Sequence, residues 1–160
     1  MKIEVLRVDY ADARQSRDLI DLLDAYARDP MGGGAPLSAA VRERLPAELA
    51  RRPQAFSLLA YVDDQAAALV NCFEGFSTFR CQPLVNVHDI VVRPQYRGLG
   101  LSQRLLVAVE TIARERGCCK LTLEVLQGNE VAQAAYRKFG FEAYVLDPAM
   151  GGARFWQKEL

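Results

Sequence analysis

Two glycines one residue apart stand in the stretch Val91-Val92-Arg93-Pro94-Gln95-Tyr96-Arg97-Gly98-Leu99-Gly100-Leu101-Ser102. An apolar run precedes them and a segment of helical period follows. Glycine lets a backbone come close to a ligand, and the start of a helix offers unpaired N–H groups and the positive end of a dipole. A strand, a turn and a helix in that order can therefore seat an anionic phosphate. Between Arg93 and Lys138 there are eight basic residues against four acidic ones, which favours the same ligand. Position 103 is Gln, so no Gly-x-Gly-x-x-Gly exists, and no Gly-Lys-Ser/Thr follows. Dinucleotides and nucleoside triphosphates lose their usual seats. A turn that needs glycine for its geometry alone has the same spacing.

Few other side chains offer chemistry. His88 is the only histidine, and Asp89 stands beside it. Histidine changes charge between about pH 5 and 8, the range a general base needs. Cysteines occur at 72, 81, 118 and 119, with no Cys-x-x-Cys pair and one histidine to complete a metal site, so no metal is expected. Cys118 and Cys119 offer a redox pair, or two small buried thiols where a helix hands over to a strand.

The elements that must hold these residues follow from periodicity and breakers. Lys2 to Asp9 alternates imperfectly, as an edge strand does. Asp12 opens a helix to Arg28, with Leu19, Ile20, Leu22, Leu23 and Tyr26 on one face and Asp29-Pro30 as its stop. Three glycines in residues 31–36 predict a mobile loop without regular structure. Ser38 caps a short helix with Val41, Leu45 and Leu49 on one side, broken or restarted at Pro46. Ala55 to Val62 and Ala66 to Phe76 form a hairpin about Asp63-Asp64, and Leu84 to Val92 is the next strand. The helix after the glycine turn buries Leu101, Leu105, Leu106, Val109, Ile112 and Ala113, and Gly117 closes it. Lys120 to Leu126 is a strand, Asn129 to Phe139 a helix, and Phe141 to Leu146 with Ala153 to Gln157 a final pair of strands. The order β α α β β β α β α β β predicts an α/β or α+β domain, three-layered around a mixed sheet.

Composition sets bounds on partners. A chain of 160 residues and 17.8 kDa matches one compact domain, expected over residues 1–160. Hydrophobic residues are 51%, charged residues 25%, and the formal charge is zero, which argues against disorder and against a nucleic-acid-binding body. The longest apolar runs, such as Ala66 to Val70, fall far short of the roughly 20 residues a membrane span needs. The first residues carry Lys2, Glu4 and Arg7 where a secretory leader needs an apolar core, so the expected compartment is the cytoplasm.

Gln95-x-x-Gly98-x-Gly100 with Arg97 before the first glycine, the strand Lys120 to Val125, and Asn129-x-x-Ala132-x-x-x-Tyr136-x-x-Phe139-Gly140-Phe141 together resemble the GNAT superfamily of acetyl-CoA-dependent N-acetyltransferases. The resemblance is carried by residues 84–146 and is only topological over the first 80. It implies a GNAT-like mixed, mostly antiparallel twisted sheet of about seven strands with four helices, in which the fourth and fifth strands are parallel and splayed. It also implies that the main-chain N–H groups of Arg97, Gly98, Leu99, Gly100, Leu101 and Ser102 bind the CoA pyrophosphate, flanked by the side chains of Gln95, Tyr96 and Arg97. The pantetheine arm would pair with exposed backbone at Val91 and Val92 and meet Asn129, a good helix cap by type.

The implied reaction is direct attack of a primary amine on the thioester within a ternary complex. Alkylamines are charged at pH 7, so a base or a water relay must take a proton. His88 and Asp89 lie where several family members carry an acidic catalytic residue. Strict alternation puts them on opposite faces, and His88 is the favoured base, with the carboxylates Asp89, Glu74 and Glu124 as fallbacks. The Val91 N–H is the implied oxyanion donor, and the phenol of Tyr136 the proton source for the departing thiolate. Two other readings keep a place: an idle acyl-CoA-binding sensor of the same fold, and a thiol redox protein using Cys118 and Cys119. The acceptor amine is not legible; Glu74, Asp63 and Asp64 could attract a cation. Phe73, Phe76 and Phe79 could line a pocket, fill the core or form a homodimer face.

Overall fold

The computed structural model describes residues 1–160. The chain forms two compact units, Met1–Leu123 and Glu124–Leu160. The first holds β1 (Ile3–Arg7), α1 (Ala13–Arg28), α2 (Ala39–Ala50), β2 (Ala55–Val62), β3 (Gln65–Ser77), β4 (Gln82–Val92), α3 (Leu101–Glu115) and β5 (Leu121–Leu123). One sheet has the order β1-β2-β3-β4-β5; its pairs are antiparallel except β4 with β5, which is parallel. The second unit holds α4 (Glu130–Phe139), one 3-10 turn and an isolated bridge between Val145 and Gly152.

β2 is buried at every position. A continuous apolar strand is what covering on both faces demands. Leu59 and Tyr61 of β2 and Leu69 of β3 pack with Leu19, Ile20 and Leu22 of α1 and Leu49 of α2. Phe56, Leu58 and Val70 turn to the opposite face with Val85, where α3 brings its buried stripe Leu101, Leu105, Leu106 and Val109. The β2–β3 hairpin closes through Asp63 and Asp64 at φ 46° and 63°, the left-handed pair that a two-residue turn requires. Asp12, Ser38 and Asn129 cap α1, α2 and α4, accepting from Gln15, Val41 and Ala132 N–H.

Several expectations are corrected. The sheet has five strands, not seven: Phe141 to Leu146 and Ala153 to Gln157 form no ladder, and strand-like pairing there is the isolated Val145–Gly152 bridge with an Ala153 N–H to Tyr144 O bond beside it. Pro148, Gly151 and Gly152 lie between the two runs, and a lone hairpin of exposed residues has little to hold it. The strand foreseen over Lys120 to Leu126 shortens to β5. α2 runs unbroken through Pro46 on a largely exposed helix, where water can satisfy the carbonyl that loses its partner. Of residues 31–36, expected to be irregular, the first two belong to a 3-10 turn, Pro30–Gly32, held by Asp29, whose carboxylate accepts from Met31 N–H at 2.8 Å.

Glu74 pairs with Arg116 at 3.7 Å. The Asp63 carboxylate accepts from Lys2 N–H, and Asp64 O from Arg14. The Glu74 and Asp63 carboxylates are thus engaged in holding the fold, while Asp64 contributes its main-chain oxygen. Phe73 packs on the α1 side of the core, while Phe76 and Phe79 are exposed near the tip of the β3–β4 hairpin.

Candidate active site

The site is built on β4, and an extra residue in that strand decides its chemistry. Asn71 of β3 pairs with Asp89, and the next residue, Cys72, pairs with Val87, so His88 is a bulge. Before the bulge, Val85 N–H donates to Lys120 O, which turns Val85 and Val87 toward β5. After it, Arg93 N–H donates to Ala67 O. Antiparallel alternation then turns Val91 and Asp89 toward β3, and Ile90 and Val92 away from it. Pairing of β4 with β5 stops at Val87–Leu123. The outer edge of β4 beyond that point has no partner strand.

This corrects the reading of Val91. Its N–H faces Leu69 in the β3 ladder, and the outward main-chain groups belong to Ile90 and Val92. Unbroken alternation from Val85 would have put Val91 on the open edge; the inserted residue moves that place by one.

The bulge also brings His88 and Asp89 to one face, where strict alternation had separated them. The His88 ring meets Phe73 edge-on at 5.2 Å between centroids, with Nδ1 3.4 Å from Asn86 Oδ1. Asp89 Oδ2 accepts from Asn71 Nδ2–H at 3.1 Å. Phe73 and Asn71 are two apart in β3, hence on one face. It is the face covered by α1: burial raises the Tyr26 phenol, and the carboxylates of Asp89 and Asp29 raise it further. Asn71 continues inward, for Ser57 Oγ–H donates to its Oδ1 at 2.6 Å and Tyr10 Oη lies 2.8 Å from Ser57 Oγ. Sequence reasoning passed over Tyr10, Ser57 and Asn71; for Ser57 and Asn71 the available signal was a polar residue inside an apolar strand.

The chain after β4 enters a 3-10 turn, Pro94–Tyr96, in which Tyr96 N–H bonds Arg93 O and Arg97 N–H bonds Pro94 O. Arg97 N–H thus leaves the expected phosphate set. The first main-chain bond of α3 runs from Arg104 N–H to Gly100 O, and the N–H groups of Gly98, Leu99, Gly100, Leu101 and Ser102 reach no main-chain carbonyl. Gly98 and Gly100 hold φ 83° and 72°, and a Cβ on either would meet nothing within 4 Å. Glycine is required by the backbone turn, and the space beside each is open. Gln95 and Arg97 are exposed beside it and Tyr96 is half-buried. Five unclaimed donors at a helix N-terminus fit a diphosphate, and an unpaired strand edge leading to them fits an extended amide chain.

In the second unit, Asn129 spends its side-chain oxygen on Ala132 N–H at 3.1 Å as the cap of α4. Tyr136 is half-buried, its ring edge-on to Phe141 at 5.9 Å. All four cysteines are free. Burial and the Glu74 carboxylate hold the Cys118 thiol above its ordinary value, and burial pushes Cys72 up to about 12. Neither is activated as a nucleophile.

The sequence profile of the acetyltransferase (GNAT) family matches residues 19–141, more than three quarters of the chain. The chain belongs to the GNAT acetyltransferase family. Among curated relatives, thialysine N-epsilon-acetyltransferase of Bos taurus is 36% identical over 66 residues, covering 41% of this chain and 38% of that one. Streptothricin acetyltransferase of Streptomyces lavendulae is 41% identical over 66 residues, covering 41% and 35%. The matched segment thus spans under two fifths of either relative. The fold is that of AAC(6')-Iy, solved in complex with the bisubstrate analog CoA-S-monomethyl-acetylneamine, at a TM-score of 0.76 and 17% identity over 100% of both chains.

Proposed function

We propose that this GNAT member is an N-acetyltransferase that moves an acetyl group from acetyl-CoA to a primary amine by direct attack in a ternary complex. One observation carries the reading: the open outer edge of β4 leads, through the Pro94–Tyr96 turn, to the unpaired N–H groups at the start of α3. The relatives named thialysine N-epsilon-acetyltransferase and streptothricin acetyltransferase support acetyl transfer as the class, the first of them to nitrogen. The reading takes residues 1–160 as one catalytic domain, supported by a family match that crosses from the first unit into the second. It takes the cytoplasm as the site of action; no helix is long and apolar enough to cross a membrane.

Acetyl-CoA supplies the activated acyl group as a thioester. The N–H groups of Gly98 to Ser102 hold its diphosphate, with Gln95, Tyr96 and Arg97 flanking. Outward main-chain groups of Ile90 and Val92 hold the pantetheine arm, and one of these N–H donors stabilises the oxyanion in place of Val91. Asn129 meets the same arm through its amide nitrogen. Asp89 receives the acceptor as an ammonium, and His88 takes its proton directly or through water. The nitrogen lone pair then forms the amide bond as the carbon–sulfur bond breaks; Tyr136 gives its proton to sulfur and is restored, through water, by the second proton that the nitrogen sheds in becoming an amide. No metal takes part.

The test is a panel of primary amines with acetyl-CoA, followed by mass spectrometry and free-thiol release. One acceptor gaining one acetyl group, with thiol released in equal amount, is expected. Acetyl-CoA binding without turnover on any amine would contradict the enzyme reading and leave the sensor.

A further inference from the structure

β2 and β3 are apolar through their centres except at Ser57 and Asn71, which are 1% and 3% exposed. Polar side chains so deep are tolerated only when their hydrogen bonds are met, and here they are met in a single line across three strands. Tyr10 contacts Ser57, Ser57 donates to Asn71, and Asn71 donates to Asp89. The line has a direction. Ser57 has one hydroxyl hydrogen and gives it to Asn71 Oδ1, so the Tyr10 hydroxyl must donate to Ser57 Oγ. With Oδ1 taken, the Asn71 amide can present only its Nδ2–H to the carboxylate; turned over, its carbonyl would face Asp89 with like polarity. An amide does not pass a proton along, so the line orients and does not conduct. It engages Oδ2 of Asp89 alone, and Oδ1 has no hydrogen-bond partner.

We propose that Tyr10, Ser57 and Asn71 are positioning residues that lock Asp89 through Oδ2 and leave Oδ1 as a fixed anionic seat for a primary ammonium. The proposal rests on the acetyltransferase reading for its substrate, but the lock itself can be tested without one. In a nitrogen-15 spectrum of the full chain without substrate, the Asn71 side-chain amide signals should move in Ser57→Ala, in Tyr10→Phe and in Asp89→Ala. In steady-state assays on a cationic primary amine, Ser57→Ala and Tyr10→Phe should each raise the KM for the amine about fivefold, leaving the KM for acetyl-CoA unchanged. The double variant should be no worse than Ser57→Ala, because both changes cut one line. An Asn71 signal indifferent to Ser57→Ala, or additive losses that reach the acetyl-CoA KM as well, would overturn the proposal. Tyr10→Phe keeps ring and packing, so its result stands even if Ser57→Ala folds poorly. If no amine is turned over by the unaltered protein, the acetyltransferase reading fails, and the amide signals alone decide the lock.

Discussion

In the proposed reaction the departing thiolate takes its proton from Tyr136, a phenol held edge-on to Phe141 on the half-buried side of α4. Tyr136→Phe removes one oxygen and keeps the ring. We expect kcat to fall about a hundredfold, the scale of a lost general acid, with the KM for acetyl-CoA unchanged. Stopped-assay kinetics at saturating amine would show it; an unchanged kcat would remove Tyr136 from the reaction. At this scale the glycine turn was legible in the sequence because its chemistry is local: Gly98 and Gly100 meet a backbone demand that other residues meet poorly. The roles around His88 were not. Alternation assigns faces only while a strand is regular, and nothing in Val87-His88-Asp89 announces the inserted residue that gathers two side chains on one face and exchanges Val91 for its neighbours.

At the scale of elements, α1, the turn after it and α2 are tied together at Asp24, a buried carboxylate within an otherwise apolar stripe. It accepts from Arg28 Nε at 2.8 Å and from Leu37 N–H at 2.9 Å, and pairs with Arg42 at 3.2 Å. The hydrogen bond from Arg28, then that from Leu37, hold its carboxyl below the usual carboxylate range. A depressed folded-state value stabilises the fold above the unfolded carboxylate's pKa of about 3.9, and that contribution is lost as pH falls through the lower folded value. Asp24→Asn should therefore lower the melting temperature most at neutral pH, and the gap to the unaltered chain should close toward pH 3. A gap independent of pH would show that the carboxylate's charge is not what holds the elements. Caps and stripes made α1, α3 and α4 readable, since those signals lie within one turn of helix. The last two expected strands failed because alternation marks a chain able to be a strand, while a ladder needs a neighbour to pair with.

For the whole molecule, family membership and the five-stranded mixed sheet leave two chemical classes to separate, acyl transfer and thiol redox. Changing Cys118 and Cys119 together to Ser should leave acetyl transfer near normal, since no step of the proposed reaction uses either thiol and burial holds the Cys118 thiol above its ordinary value; loss of turnover in a folded double variant would restore the redox reading. The central claim concerns main-chain donors, and amide hydrogen exchange reads those one residue at a time. In the free protein the amides of Ile90, Val92 and Gly98 to Ser102 should exchange fast while that of Val91 is protected, and CoA should slow the first group and leave Val91 as it was. Fast exchange at Val91 in the free protein, or no slowing at Gly98 to Ser102 with CoA present, would contradict the account.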